Sequence, residues 1–286
     1  MSGGRDDLPP AGSGMTVRPE HRRIHDAVAP DLGPHIMTGP VAVRGAEPGD
    51  ALRIEILDVA LREDWGFNLI RPGAGTLPDR FPDHRRIHLP IDRAAGTVLT
   101  PWGLEIPARP FFGVMGTAPP PHLGRLTSIV PGAFGGNIDN KELVAGATLY
   151  LPVWTKGALF SAGDGHAAQG DGEVCGTAIE SPMDVTLKFE LVKGADLAFP
   201  RFRTRGPVTR HLDAEGYEVT TGVGPDLMEG ARAAVSGMID LLTARHGMSA
   251  VEAYMLCSVC GDLRVSEIVD MPNWVVSFYF PRVVLS

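Results

Sequence analysis

A chain of 286 residues can bury a large core, and 44% hydrophobic with 21% charged residues is the profile of a folded globular protein. The formal net charge is −8 and the pI about 5.6, with no long Lys/Arg run, which excludes a nucleic-acid partner. Three cysteines make no disulfide framework, no apolar run is long enough to span a bilayer, and the first residues, MSGGRDDLPPAGSG, lack the apolar core of a secretory signal. A cytoplasmic protein with no membrane partner is expected.

Residues 1–30 are rich in Gly, Pro, Asp and Arg without periodicity, the composition of a flexible tail, so a single domain is expected over 31–286, with order starting near Pro34. Pro48 and Gly49 suit the centre of a type II turn. The run Ala51–Ala60 follows and alternates as a strand, with Leu52, Ile54 and Ile56 on one face. Shorter strands are expected at 148–153 and 158–162, folded back on each other as a hairpin around Lys156 and Gly157. The clearest strand is Asp184–Val192, with Val185, Leu187, Phe189 and Leu191 inward, and two more follow at 216–221 and 274–280. Pro225 and Asp226 open an amphipathic helix that runs to His246 and stops at Gly247. Ser249 and Glu252 form a capping box for a second, also read as amphipathic, that ends at Gly261. The expected fold is mainly β, a sandwich or barrel-like core of many short strands, with two α-helices in the C-terminal half.

The densest polar cluster is Gly163–Glu173, GDGHAAQGDGE. Asp164 and His166 are ligand types for a borderline divalent metal, Glu173 can act as a general base, and the glycines allow tight turns that gather them. A solvated turn or a structural calcium loop would have the same composition. A second cluster, GGNIDNKEL, places Asn137 and Asp139 two apart, on one face of an extended segment; a polar hairpin turn explains it equally well. Cys257 and Cys260 form a CxxC inside a helix, a spacing that reads as core packing. Arg201, Arg203, Arg205 and Arg210 read as a solvated loop.

The stretch from GGNIDNKEL through GDGHAAQGDGE to DVTLKFEL resembles the signature region of the acetamidase/formamidase family. PHIMTGPVAVRGAEPGD, DWGFNLIRPGAG, RPFFGVMGTAP and SVCGDLRVSEIVDMPN resemble other segments of that family, in the same order. The segment before Pro34 is shorter than the strand unit many members carry there, and it supplies His21 and His25. The resemblance implies a mainly β fold with a helical addition, and hydrolysis of a small aliphatic amide, formamide- or acetamide-like, to a carboxylate and ammonia. It also implies a metal-dependent site and a homo-oligomer. The positions carried over are His35, Asn137, Asp139, Asp164, His166 and Glu173.

In the mechanism this suggests, Asp139, Asp164 and His166, joined by His35, hold a divalent metal that activates water, and Glu173 moves the proton. Asn137 helps to polarise the carbonyl. Oxygen and nitrogen donors without thiolate fit zinc best, with calcium, manganese or iron open. Two alternatives stand beside it: a metal-independent amidase with a Glu or Cys nucleophile, for which Cys175 is the thiol, and a non-catalytic β-sandwich binding module with structural calcium.

Overall fold

A computed structural model describes residues 8–27, 32–269 and 271–285. Parts of the expected tail, 1–7 and 28–30, and the side chain of His25 lie outside the described residues. In chain order the elements begin with α1 (Pro19–Ala27), β1 (Met37–Val41), β2 (Ala51–Leu61), β3 (Trp65–Ile70), β4 (Arg85–Asp92), β5 (Thr97–Leu99) and β6 (Glu105–Pro107). Then come β7 (Phe111–Gly116), β8 (Gly135–Asn137), β9 (Thr148–Pro152), β10 (Phe160–His166), β11 (Met183–Val192) and β12 (Arg201–Arg203). The C-terminal part adds β13 (Tyr217–Gly224), α2 (Leu227–His246), α3 (Ala250–Cys260), β14 (Asp262–Glu267) and β15 (Trp274–Pro281). The protein is mainly β, as the patterning predicts. A helix occupies Pro19–Ala27, inside the stretch read as a tail.

The described residues form two compact units. The first comprises Met1–Trp65, Arg109–Ala167 and Glu180–Val208; the second comprises Gly66–Ala108, Ala168–Ile179 and Thr209–Ser286. The first unit holds two four-stranded sheets, ordered β1-β10-β7-β8 and β11-β2-β9-β12. Its core packs Leu52, Ile54 and Ile56 of β2 with Leu149 and Leu151 of β9, and with Phe160 and Ala162 of β10. The predicted alternation of β2 holds to Ile56. There Ile56 pairs with Leu187 and Asp58 with Thr186, so Leu57 is an extra residue, and it is 52% exposed. The expected hairpin does not form: β9 pairs with β2 and β12, and β10 with β1 and β7. The chain between them crosses from one sheet to the other.

α1 is fastened through a buried carboxylate. Glu63, 3% exposed, lies 2.9 Å from Arg18 Nε and 3.8 Å from His21 Nε2, while His21 sets its ring edge against Trp65. Burial raises the Glu63 carboxyl above its ordinary range, against the opposing charges of Arg18 and Arg62.

The second unit holds the sheets β3-β4-β5-β6 and β13-β15-β14. Asp226 caps α2 by accepting from the N–H groups of Met228 and Glu229, and Gly247 ends it in the left-handed conformation. The Ser249–Glu252 capping box opens α3 as the sequence predicts. α3 is not amphipathic, however: every residue from Ala253 to Cys260 is buried, so it is a core helix on all sides. Cys257 and Cys260 are buried with it, as core packing requires.

Candidate active site

The site in the first unit is built on the β7–β10 pairing. Gly163 pairs with Val114 and Gly165 with Phe112, which sets Asp164 opposite Gly113. Two residues on, His166 pairs with Phe111 and shares the Asp164 face, its ring held edge-on by Phe111 at 5.1 Å. Asp139 arrives just after β8. Its N–H and that of Ile138 donate to the Gly113 carbonyl, at 3.2 and 3.0 Å, which brings its side chain over the same glycine. Asp139 (φ 48°) and Asp164 (φ 60°) both take the left-handed backbone that Asp tolerates better than most residues.

Gly113 makes the convergence possible. A Cβ placed there would lie 2.5 Å from Asp139 Oδ1, 2.8 Å from Asp164 Oδ2 and 2.9 Å from His166 Cε1. One ligand atom from each of these three residues lies within 4.8 Å of the others. The cluster continues on both sides. His166 Nε2 is 3.2 Å from Asp164 Oδ2 and 3.4 Å from Glu180 Oε1, and His35 Nε2 is 3.6 Å from Asp164 Oδ2. His35 Nδ1 lies 2.9 Å from Ser128 Oγ and 3.2 Å from the Ser128 carbonyl, so Ser128 orients the ring with Nε2 toward Asp164.

Burial weakens the charged forms here, and the neighbouring charges then decide each group. Burial pushes the Asp139 carboxyl up to about 6, with Asp164 and Glu180 adding to the rise and His166 opposing it. Burial opposes a cationic His166, but the carboxylates of Glu180 and Asp164 outweigh it and hold that imidazole well above its ordinary value. Burial keeps His35 below its own, against the pull of Asp164. Three carboxyl groups around one buried imidazole, gathered over a glycine with no side chain, make a pocket of oxygen and nitrogen donors that suits a divalent cation.

The sequence matches the profile of the Acetamidase/Formamidase family over residues 19–130 and 123–286. The chain belongs to the acetamidase/formamidase family. It is 29% identical to the formamidase of Methylophilus methylotrophus, over 86% of this chain and 76% of that one. Among solved structures it is similar to a gamma lactamase from Delftia acidovorans, with a TM-score of 0.79, 26% identity, and coverage of 87% of this chain and 76% of that one. It is also similar to an acetamidase from Bacillus halodurans, with a TM-score of 0.56, 36% identity, and coverage of 86% and 78%.

Of the family positions carried over, the first unit gathers His35, Asp139, Asp164 and His166. Asn137 pairs with Val114, whose side chain lies on the sheet face opposite that of Gly113 and Asp164. Its Nδ2 donates to the Ile129 carbonyl at 3.1 Å, so it braces the segment whose Ser128 holds His35. Glu173 falls in the second unit, on a turn where its N–H donates to the Gly170 carbonyl and its own carbonyl accepts from Gly176. Cys175, also in the second unit, is 0% exposed, and burial raises its thiol above the ordinary range, the reverse of what a nucleophile needs. Glu180, absent from the sequence expectation, is 4% exposed and paired through its backbone with His166. The signal was available: it is the one charged residue in the stretch Val174–Met183. A buried carboxylate needs partners to offset its desolvation.

Proposed function

We propose that the protein is a hydrolase that splits a small amide into a carboxylate and ammonia at the cluster over Gly113. Asp139, Asp164 and His166 would hold a divalent cation, zinc by the donor set, with His35 Nε2 as a further donor. When bound, such a cation supplies Lewis acidity, polarising the amide carbonyl and making water nucleophilic near neutral pH. Glu180 takes a proton from the attacking water and returns it to the departing nitrogen. That assignment replaces Glu173 by the carboxylate that sits at His166 Nε2 in the same unit. Ser128 orients the His35 ring, and Asn137 holds the Ser128 segment in place rather than meeting the carbonyl.

The observation that carries this reading is the meeting of Asp139, Asp164 and His166 where a Cβ on Gly113 would clash with all three. The test is ammonia release from a panel of short amides, on protein whose metal content is measured before and after chelation. Turnover that tracks one metal equivalent supports the reading. Turnover that survives complete metal removal sinks the metal's part in it. A second reading, opening of a cyclic amide, is supported by the higher TM-score to the gamma lactamase than to the acetamidase. A lactam yields an amino acid and no ammonia, so assaying both products separates the two. Among the described residues no helix is long and apolar enough to cross a membrane. A cytoplasmic homo-oligomer is the state we propose, and sedimentation tests the assembly.

A further inference from the structure

The first unit carries a cavity of about 490 Å³ that reaches Asp164. One wall is the sheet face shared by Thr38, Ala162 and Asp164, since Thr38 pairs with Ala162 and Asp164 follows it by two. The other is the ridge of β11, where Val185, Leu187 and Phe189 alternate with exposed polar residues and stay half-buried. Phe160 and Phe189 meet edge to face at 5.0 Å, Ile36 completes the apolar lining, and His21, Arg62, Ser181 and Asp184 supply the polar part of the wall. The small side chain of Ala162 leaves the space open beside the aspartate. Formamide or acetamide would fill a small corner of it, because cavities of roughly 300–1,000 Å³ suit drug-sized ligands.

A second cavity, of about 600 Å³, adjoins His35. It is lined by His35 and Ser128 and by none of the carboxylates of the cluster, and Ser128 already engages Nδ1 of the ring on that side. Of the two, the first cavity is the one lined by a carboxylate of the cluster, Asp164.

We infer that this cavity receives the acyl group of the substrate, and that the preferred substrates are primary amides of apolar acids with a branched or aromatic chain. The inference rests on the amide-hydrolase reading above. Apolar walls recognise such a chain by burying it, and a single methylene in such a pocket is worth about 10- to 200-fold in discrimination.

The experiment compares kcat/KM for acetamide, isobutyramide and phenylacetamide in the wild type and in Val185→Trp, with Leu187→Trp as a second variant should the first not fold. Calorimetry follows phenylacetamide binding in parallel. The wild type is expected to favour the two larger amides over acetamide by about tenfold or more, and the tryptophan to cut that ratio at least tenfold in a variant with an unchanged melting curve. Acetamide as the best substrate, or an unchanged ratio in both folded variants, overturns the inference. An unchanged ratio with an altered sedimentation coefficient does so too, assigning the cavity to a contact between copies. Phenylacetamide binding without hydrolysis, lost in Val185→Trp, supports the cavity while sinking the hydrolase reading. Neither binding nor hydrolysis sinks both.

Discussion

The polar stretch Gly163–Glu173 falls into two regions that look alike in sequence and behave differently in the fold. The first, through His166, is the end of β10 in the first unit, where alternation puts Asp164 and His166 on one face above a glycine. The second is a turn in the second unit whose backbone is tied to the helical end of the chain. Gly170 N–H donates to the Ser258 carbonyl, Asp171 N–H to Asp262 Oδ1, and Leu263 N–H to the Asp171 carbonyl. In the first unit the single acid of that strand end, Asp164, joins Asp139 and Glu180 around His166. Strand alternation opposite a residue without a Cβ gathers the donors; density of acids alone does not.

That contrast can be broken experimentally, most severely at His166. His166→Ala removes the imidazole shared by Asp164 and Glu180, so bound metal and ammonia release should both fall below detection. Unchanged metal content in that variant would place the cation elsewhere.

The two glutamates sharpen the comparison. Glu180→Gln should keep the metal and lower kcat by about 10²–10⁴, the usual worth of a positioned acid–base group, while Glu173→Gln in the second region should change it far less. The opposite ranking would return the proton-transfer role to Glu173. Gly113→Ala comes next. Its backbone is open to alanine, but the added methyl would meet all three donors, and a displacement of that kind costs about 100-fold in kcat/KM. A fully active Gly113→Ala would show that the donors do not converge on that space.

The smallest effects concern the frame around both regions. Asp226→Ala removes the α2 cap and should cost about 1 kcal/mol, seen as a lower Tm with no change in kcat. Asp50 in the first unit, bonded by Lys193 Nζ and by the N–H groups of Glu47 and Gly194, is held down to about 2 from 3.8, with the Lys193 bond the largest cause. A depressed carboxyl stabilises the fold above its unfolded pKa and loses that contribution as the pH falls through the folded one. The Tm gap between wild type and Asp50→Asn should therefore hold above pH 3.8 and close on approach to pH 2.

Elements fixed by local chemistry were legible in the sequence. Capping residues and a left-handed glycine bound α2 and α3, and alternating side chains mark β2 and β11, because each signal lies within a few residues of its effect. The buried character of α3 was not legible, since an apolar run does not say how many sides will be covered. Nor was the path from β9 to β10, because a Gly turn allows a hairpin without requiring one and pairing across sheets settles the matter. In the site, Asp139, Asp164 and His166 could be picked out as polar residues between glycines. Glu180 and Gly113 could not be placed with them, since their parts depend on which strand lies opposite.

The lacing of the turn after His166 also sets an order of assembly during synthesis. Its Cys175 N–H donates to Ser258 Oγ, 83 residues later, and the Thr177 carbonyl accepts from the same hydroxyl, 81 residues later. At about 5–20 residues per second, those partners leave the ribosome several seconds after the turn itself. His35, Gly113, Asp139, Asp164, His166 and Glu180 are all translated by residue 180, and the unit that holds them ends at Val208. The cluster over Gly113 thus has its full complement of residues on a nascent chain that still lacks α2 and α3, before the second unit is complete.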